Sequence, residues 1–134
     1  MNTVEGEVRM RVRYKDTDKM GVMHHSNYVN CYESARTELL RERGISYREM
    51  EERGVMLPVR EVYMNYLSPA YYDDLLTVRI RVAEEPRVKL VFDHEIYNEA
   101  GELINTGKVV LVFVNAETRR PCRAPRWFLE LFGY

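Results

Sequence analysis

Between residues 14 and 28 the chain reads Tyr14-Lys15-Asp16-Thr17-Asp18-Lys19-Met20-Gly21-Val22-Met23-His24-His25-Ser26-Asn27-Tyr28, which gathers two carboxylates, two imidazoles and two phenols into one short stretch. The apolar periodicity changes inside it from two residues to about 3.6, so it spans a junction between a strand and a helix. A helix N-terminus carries unpaired backbone N–H groups and a partial positive charge. Such groups polarise a carbonyl and hold the oxyanion that forms when it is attacked. A carboxylate just upstream can attack that carbonyl, or activate a water to do so. Gly21 lets the backbone come close to a ligand.

The same residues have other uses. Asp16 or Asp18 could cap a turn through side-chain to backbone bonds. The Asp-x-Asp pair could hold Mg²⁺ together with substrate phosphates, but no further acidic partner stands nearby. His24 and His25 could ligate zinc, yet neighbours on a helix point about 100° apart, and helical zinc sites use histidines four residues apart. Tyr14 could be a strand aromatic with a satisfied hydroxyl. The residues alone leave these readings open.

The elements that must position this stretch follow from periodicity. Val8 to Tyr14 alternates apolar with basic residues, which predicts a half-buried strand. Asp16 to Gly21 interrupts it with turn formers. From His24 to Arg43 the pattern is helical, with Tyr28, Cys31, Tyr32, Ala35 and Leu39 on one stripe, and Gly44 stops it. A short helix is expected over Ser46 to Glu52. Strands are expected over Pro58 to Leu67, Leu75 to Val82, Lys89 to Asn98 and Leu103 to Val114, and a final helical turn or two over Ala124 to Phe132. The breaks at Ser68-Pro69, Glu84-Glu85-Pro86 and Asn98-Glu99-Ala100-Gly101 are turn chemistry, and links this short favour antiparallel neighbours. One long helix with about five strands is an α+β domain. A sheet that covers one helix on one face leaves its edges for a partner to cover.

Composition narrows the function classes. The chain of 134 residues is 46% hydrophobic and 31% charged, which suits one domain with one core, here spanning residues 1–134. A net charge of −1 provides no field that would gather nucleic acid or an anionic membrane. No apolar run approaches the ~20 residues that span a bilayer, so no membrane insertion is expected. The opening residues, Met1 to Glu7, are polar and acidic, unlike a secretory signal, and the expected location is cytoplasmic. Cys31 and Cys122 are then expected as reduced thiols packed like small hydrophobes.

The pattern Tyr-x-x-Thr-Asp-x-x-Gly-x-x-x-His-x-Asn-Tyr, followed by Glu33-Ser34-Ala35-Arg36, resembles the signature of the 4-hydroxybenzoyl-CoA thioesterase family, in particular its YbgC-type branch. The likeness continues through Pro69-Ala70-Tyr71-Tyr72-Asp73-Asp74, Asn98-Glu99-Ala100-Gly101, and Arg120-Pro121 with Pro125, in order and over nearly the whole chain. It implies a hotdog fold, an antiparallel five-stranded sheet wrapped around one long central helix. It implies an acyl-CoA thioesterase that needs no metal or redox cofactor. Asp18 matches the catalytic carboxylate, acting as nucleophile or as general base. The backbone N–H of His25 would point at the thioester oxygen, and its imidazole, with Tyr14, resembles the pairing that supports the site. Gly21 resembles the glycine at the turn before the helix. His24 stands where that branch commonly has a tyrosine, a departure that bears on the lining of the pocket.

The resemblance further implies two protomers joined through their sheets, as a homodimer or a homotetrameric dimer of dimers, with the site at that interface. The phosphates of CoA call for basic residues. Arg87 and Lys89, and Arg120 with Arg119 and Arg123 beside it, occupy places similar to those of nucleotide-contacting residues. A solvated charged surface is the alternative reading of each. One face of Tyr63-Met64-Asn65-Tyr66 could line an acyl tunnel. The partner on the substrate side is acyl-CoA, with an acyl carrier protein as the other candidate thiol carrier. A binding module that holds such a ligand without turnover is the competing function, and the intact Asp18 argues against it. A dehydratase on the same fold would need a different Asp–His arrangement.

Overall fold

The computed structural model describes residues 4–134, so part of the polar opening discussed above lies outside the described residues. The chain forms strand β1 (Val4–Arg11), a single 3-10 turn (Tyr14–Asp16), helix α1 (Asn27–Glu42), helix α2 (Tyr47–Glu52), and strands β2 (Val55–Met56), β3 (Val59–Tyr66), β4 (Leu75–Val82), β5 (Lys89–Tyr97), β6 (Leu103–Val112) and β7 (Val114–Asn115). Helix α3 (Arg126–Leu131) closes it. Five strands make one sheet in the order β1-β4-β5-β6-β3, each adjacent pair antiparallel.

Alternation sets the inner face. Leu90, Phe92, His94 and Ile96 of β5 are buried, as are Leu76, Val78, Ile80 and Val82 of β4, and they face α1. The residues between them turn outward. Helix α1 buries Tyr28, Cys31, Tyr32, Ala35 and Leu39, the expected stripe, together with Arg36 and Leu40. A β-carbon at Gly6 would sit 3.1 Å from Leu39 Cδ1, so β1 lies close to the second half of the helix there. The expected long helix wrapped by five antiparallel strands is what forms.

The differences are local. The first strand, expected over Val8 to Tyr14, runs from Val4 to Arg11 instead. The Arg13 amide donates to the Asp16 carboxylate at 2.9 Å, and that bond bends Tyr14 out of extended geometry into the 3-10 turn. Helix α1 starts three residues later than expected. Ser46 stands outside α2 as its cap, its hydroxyl accepting the Glu49 N–H at 3.2 Å. The last expected strand divides at Phe113, and Val114–Asn115 pairs with Val55–Met56 as a separate two-stranded sheet. Among the described residues no helix is long and apolar enough to cross a membrane. Cys31 and Cys122 are both free.

Candidate active site

The expected site is built on a tight hairpin. Asp18 donates its N–H to Val22 O at 3.0 Å, and its carbonyl accepts the Gly21 N–H at 3.0 Å. Gly21 sits at φ 80°, the left-handed position that such a turn requires and that favours glycine. Asp18 Oδ1 accepts the Met20 N–H at 2.8 Å. The capping role is therefore real, and it leaves Oδ2 without a partner among the described residues. Asp18 is half-buried.

Neighbouring backbone holds this hairpin from both sides. Thr17 bridges to Met23, and Val22 bridges to Tyr71. The Met23 N–H donates to Ala70 O at 2.7 Å and the His24 N–H to Asp16 O at 2.8 Å. The Pro69–Asp74 stretch thus forms one wall of the loop. The helix is entered through a turn in which the Asn27 N–H donates to His24 O at 3.0 Å and the Tyr28 N–H to His25 O at 3.4 Å. The Ser26 N–H donates to His24 Nδ1 at 3.2 Å. For the His25 N–H there is no acceptor among the described residues, so this amide is free to meet a ligand. The Tyr66 hydroxyl donates to His25 O at 3.2 Å, and the Tyr66 ring stands edge-on to Tyr28 at 5.1 Å. These contacts tie the helix mouth to β3. Tyr66 belongs to the strand face that the sequence offers as a tunnel lining, but its bond to the His25 carbonyl is visible only in the folded sheet.

The two side chains expected to support the site stay apart within the protomer. The Tyr14 ring is 79% exposed and packs edge-on against Tyr72 at 5.7 Å. The His25 ring lies 4.2 Å from that of His24. Burial raises the hydroxyl of Tyr28, and burial together with the charge of Asp16 pushes the Cys31 thiol up to about 11. Behind the loop is a cavity of about 80 Å³ bounded by Met10, Asp16, Asn27, Asn30 and Cys31. That is room for a few waters, not for an acyl chain.

The basic residues gather, but elsewhere. Arg87 O accepts the Ala124 N–H at 2.6 Å, Phe113 donates to Val88 O at 2.9 Å, and Cys122 donates to Phe113 O at 2.9 Å. These bonds bring Arg87, Lys89, Arg120 and Arg123, all exposed, to one corner. In the sheet register Lys89 is level with Val112, at the end opposite Tyr66 and Asn105. Seven residue steps of strand separate the two ends, about 23 Å at ~3.3 Å per residue. One protomer therefore carries the carboxylate and the basic corner at opposite ends.

A second polar cluster lies farther along α1. The Tyr32 hydroxyl donates to Asn105 Oδ1, and its ring stacks on His94 at 4.0 Å with 9° between the planes. A β-carbon at residue 107 would overlap the Tyr32 ring and hydroxyl, so that position requires glycine. Both ring nitrogens of His94 and Nδ2 of Asn105 are buried without a partner among the described residues. Arg36, also buried, donates to the Tyr47 hydroxyl at 3.4 Å. Burial, reinforced by the Arg36 charge, lowers the His94 imidazole to about 3.

A central helix cradled by one antiparallel sheet, with a carboxylate hairpin at the helix mouth, places the molecule in the hotdog class. The chain belongs to the thioesterase-like superfamily, whose family model matches residues 12–132. It is similar to the acyl-CoA thioester hydrolase YbgC of Escherichia coli O157:H7, with 35% identity over 132 residues and 98% of each chain covered. Among solved structures, the DHNA-CoA thioesterase of Staphylococcus aureus superposes with a TM-score of 0.87 at 35% identity, covering 94% of this chain and 85% of that one. A 4-hydroxybenzoyl CoA thioesterase bound to 4-hydroxybenzoyl CoA superposes equally well, TM-score 0.87, at 22% identity, covering 97% and 99%. At that identity the likeness speaks for the fold.

Proposed function

We propose that this protein hydrolyses an acyl-CoA thioester to the free acid and CoA. The carrying observation is that the Asp18 hairpin and the unpaired His25 amide hang from the same few hydrogen bonds at the mouth of α1. A thioester carbonyl placed there would point its oxygen at the His25 N–H. Asp18 would either attack the carbonyl carbon, giving an anhydride that water then opens, or take a proton from the attacking water. In both routes the carbon–sulfur bond breaks and the thiolate leaves. Gly21 would keep the approach clear, and the His25 imidazole and Tyr14, which make no contact with each other within the protomer, would each support the bound group separately.

The opposite placement of carboxylate and basic corner supports a shared site. Strand β3 is an edge strand with Val59, Val62, Tyr63 and Tyr66 exposed along it. Joined antiparallel across a two-fold axis, two such edges would bring each protomer's Tyr66 end beside the other's Val59 end. That carries Arg87, Lys89 and Arg120 of the second protomer toward Asp18, where they would meet the phosphates of CoA. We therefore read the working unit as a homodimer or a pair of dimers, active in the cytoplasm.

The test is thiol release from acyl-CoAs of graded length and aromaticity, using wild type and Asp18→Asn side by side. The wild type should turn over at least one of them. Asp18→Asn should lose at least about 10³-fold in kcat while keeping its mass in solution. Tight binding by the wild type with no thiol released across the panel would mean a binding module instead.

A further inference from the structure

The loop that presents Asp18 and the turn and helix that present the His25 amide converge on one acceptor, the carbonyl oxygen of Asp16. It accepts the His24 N–H at 2.8 Å and Nδ2 of Asn27 at 2.9 Å. A carbonyl can only accept, so the Asn27 atom facing it is the amide nitrogen. Asn30 Nδ2, 3.3 Å from Asn27 Oδ1, holds the amide the same way round. On its other side Asp16 is anchored by its carboxylate, which takes the Arg13 N–H at 2.9 Å with the Arg13 guanidinium 3.8 Å away. Two residues after this carbonyl comes Asp18. One residue after its first donor comes His25.

We infer that Asn27 is a positioning residue for hydrolysis. Acting through the Asp16 carbonyl, it sets the distance between the Asp18 carboxylate and the His25 amide. This rests on the function proposed above. Asn27 is the first residue of α1, so its side chain connects the rigid helix to the loop, whereas the His24 amide connects one loop segment to another. Without Nδ2 the half-buried carbonyl keeps one donor, and the loop loses its direct tie to the helix. A shift of about 1 Å between reacting groups costs roughly 10²-fold in rate even when substrate still binds.

The experiment measures kcat, KM for an acyl-CoA that the wild type hydrolyses, and Tm for Asn27→Leu, Asn27→Asp and Asn27→Gln, with Asp18→Asn alongside. Leucine keeps the shape of asparagine without the donor. Aspartate suits a helix start but has no donor near neutral pH, and it carries the test if the leucine variant folds poorly. Both should lose roughly tenfold to 10²-fold in kcat, with KM changed less than about twofold and Tm close to wild type. Glutamine, which keeps the donor on a longer arm, should recover part of the loss. Full kcat in Asn27→Asp would overturn the inference. So would a loss that tracks Tm and is not relieved by glutamine. Full activity in Asp18→Asn would instead sink the underlying mechanism, whatever Asn27 does.

Discussion

Helix α1 meets polar groups in two places, and the two are built in contrary ways. At its N-terminus Asp16, His24 and Asn27 are matched donor to acceptor, in a loop that still opens to solvent. One turn farther in, Tyr32, His94 and Asn105 are sealed from water, and three of their polar atoms have no partner among the described residues. The first cluster is held by hydrogen bonds, which fix donors and acceptors in distance and direction. The second has one internal hydrogen bond, from Tyr32 to Asn105, and is otherwise held by shape, a flat stack of Tyr32 on His94 over a glycine. The contrast implies that changes at the helix mouth should alter rate and spare stability, and changes in the buried stack should do the reverse.

The largest effect on the stack is expected from Gly107→Ala. Its methyl group would force Tyr32 out of place, with an overpacking cost of about 1–3 kcal/mol. Urea unfolding should show a lower midpoint, and the protein that remains folded should keep its KM. An unchanged midpoint would show that the stack has slack and is not held by shape.

Acid should reveal the same cluster. The unfolded His94 takes up a proton near its ordinary 6.5, and the folded one only near 3. Between those values the unfolded state binds more protons, so stability falls as pH is lowered, by at most about 1.4 kcal/mol per pH unit from this group. Below about 3 both states are protonated and the loss is complete. His94→Phe keeps the stack on Tyr32 and removes the titration, so its Tm should vary less than that of wild type from about pH 6 to about pH 4. Parallel curves would assign the acid sensitivity to other groups.

The smallest effect concerns Cys31, which lies on α1 between the two clusters. Its thiol, raised to about 11 by burial, is almost wholly protonated at pH 8. The half-buried Cys122 should therefore react first with a thiol reagent, and Cys31 at the rate at which the helix opens. Rapid labelling of Cys31 in the folded protein would show that the helix mouth is looser than its hydrogen bonds imply.

Much of this was legible in the residues. Periodicity located the long helix and four of the sheet strands, and the run from Tyr14 to Tyr28 marked the hairpin and helix mouth. What periodicity could not see was competition from local bonds. The alternation through Val12 and Tyr14 continues past the end of β1, but the Asp16 carboxylate captures the Arg13 amide and ends the strand. His94 falls in phase with Leu90, Phe92 and Ile96, so its burial could be read from β5 alone. Its stack on Tyr32, and the demand that this places on Gly107, depend on how helix and sheet are juxtaposed. The bond from Tyr66 to the His25 carbonyl is hidden for the same reason. Arg87, Lys89 and Arg120 do converge, though their distance from Asp18 follows from strand register and not from spacing in the chain.

The edges of the sheet differ as its two polar clusters do. Strand β1 ends the sheet with Glu5, Glu7, Arg9 and Arg11 directed away from the core, a row that discourages strand addition, while β3 at the other edge is largely apolar. If copies join only along β3, growth stops at two, because each copy has spent its one adhesive margin. The reaction centres of such a pair would both lie along the central seam of a continuous ten-stranded surface, one at each end of the paired β3 strands. Each would borrow its phosphate-facing corner from the opposite copy, so parting the seam would dismantle both together.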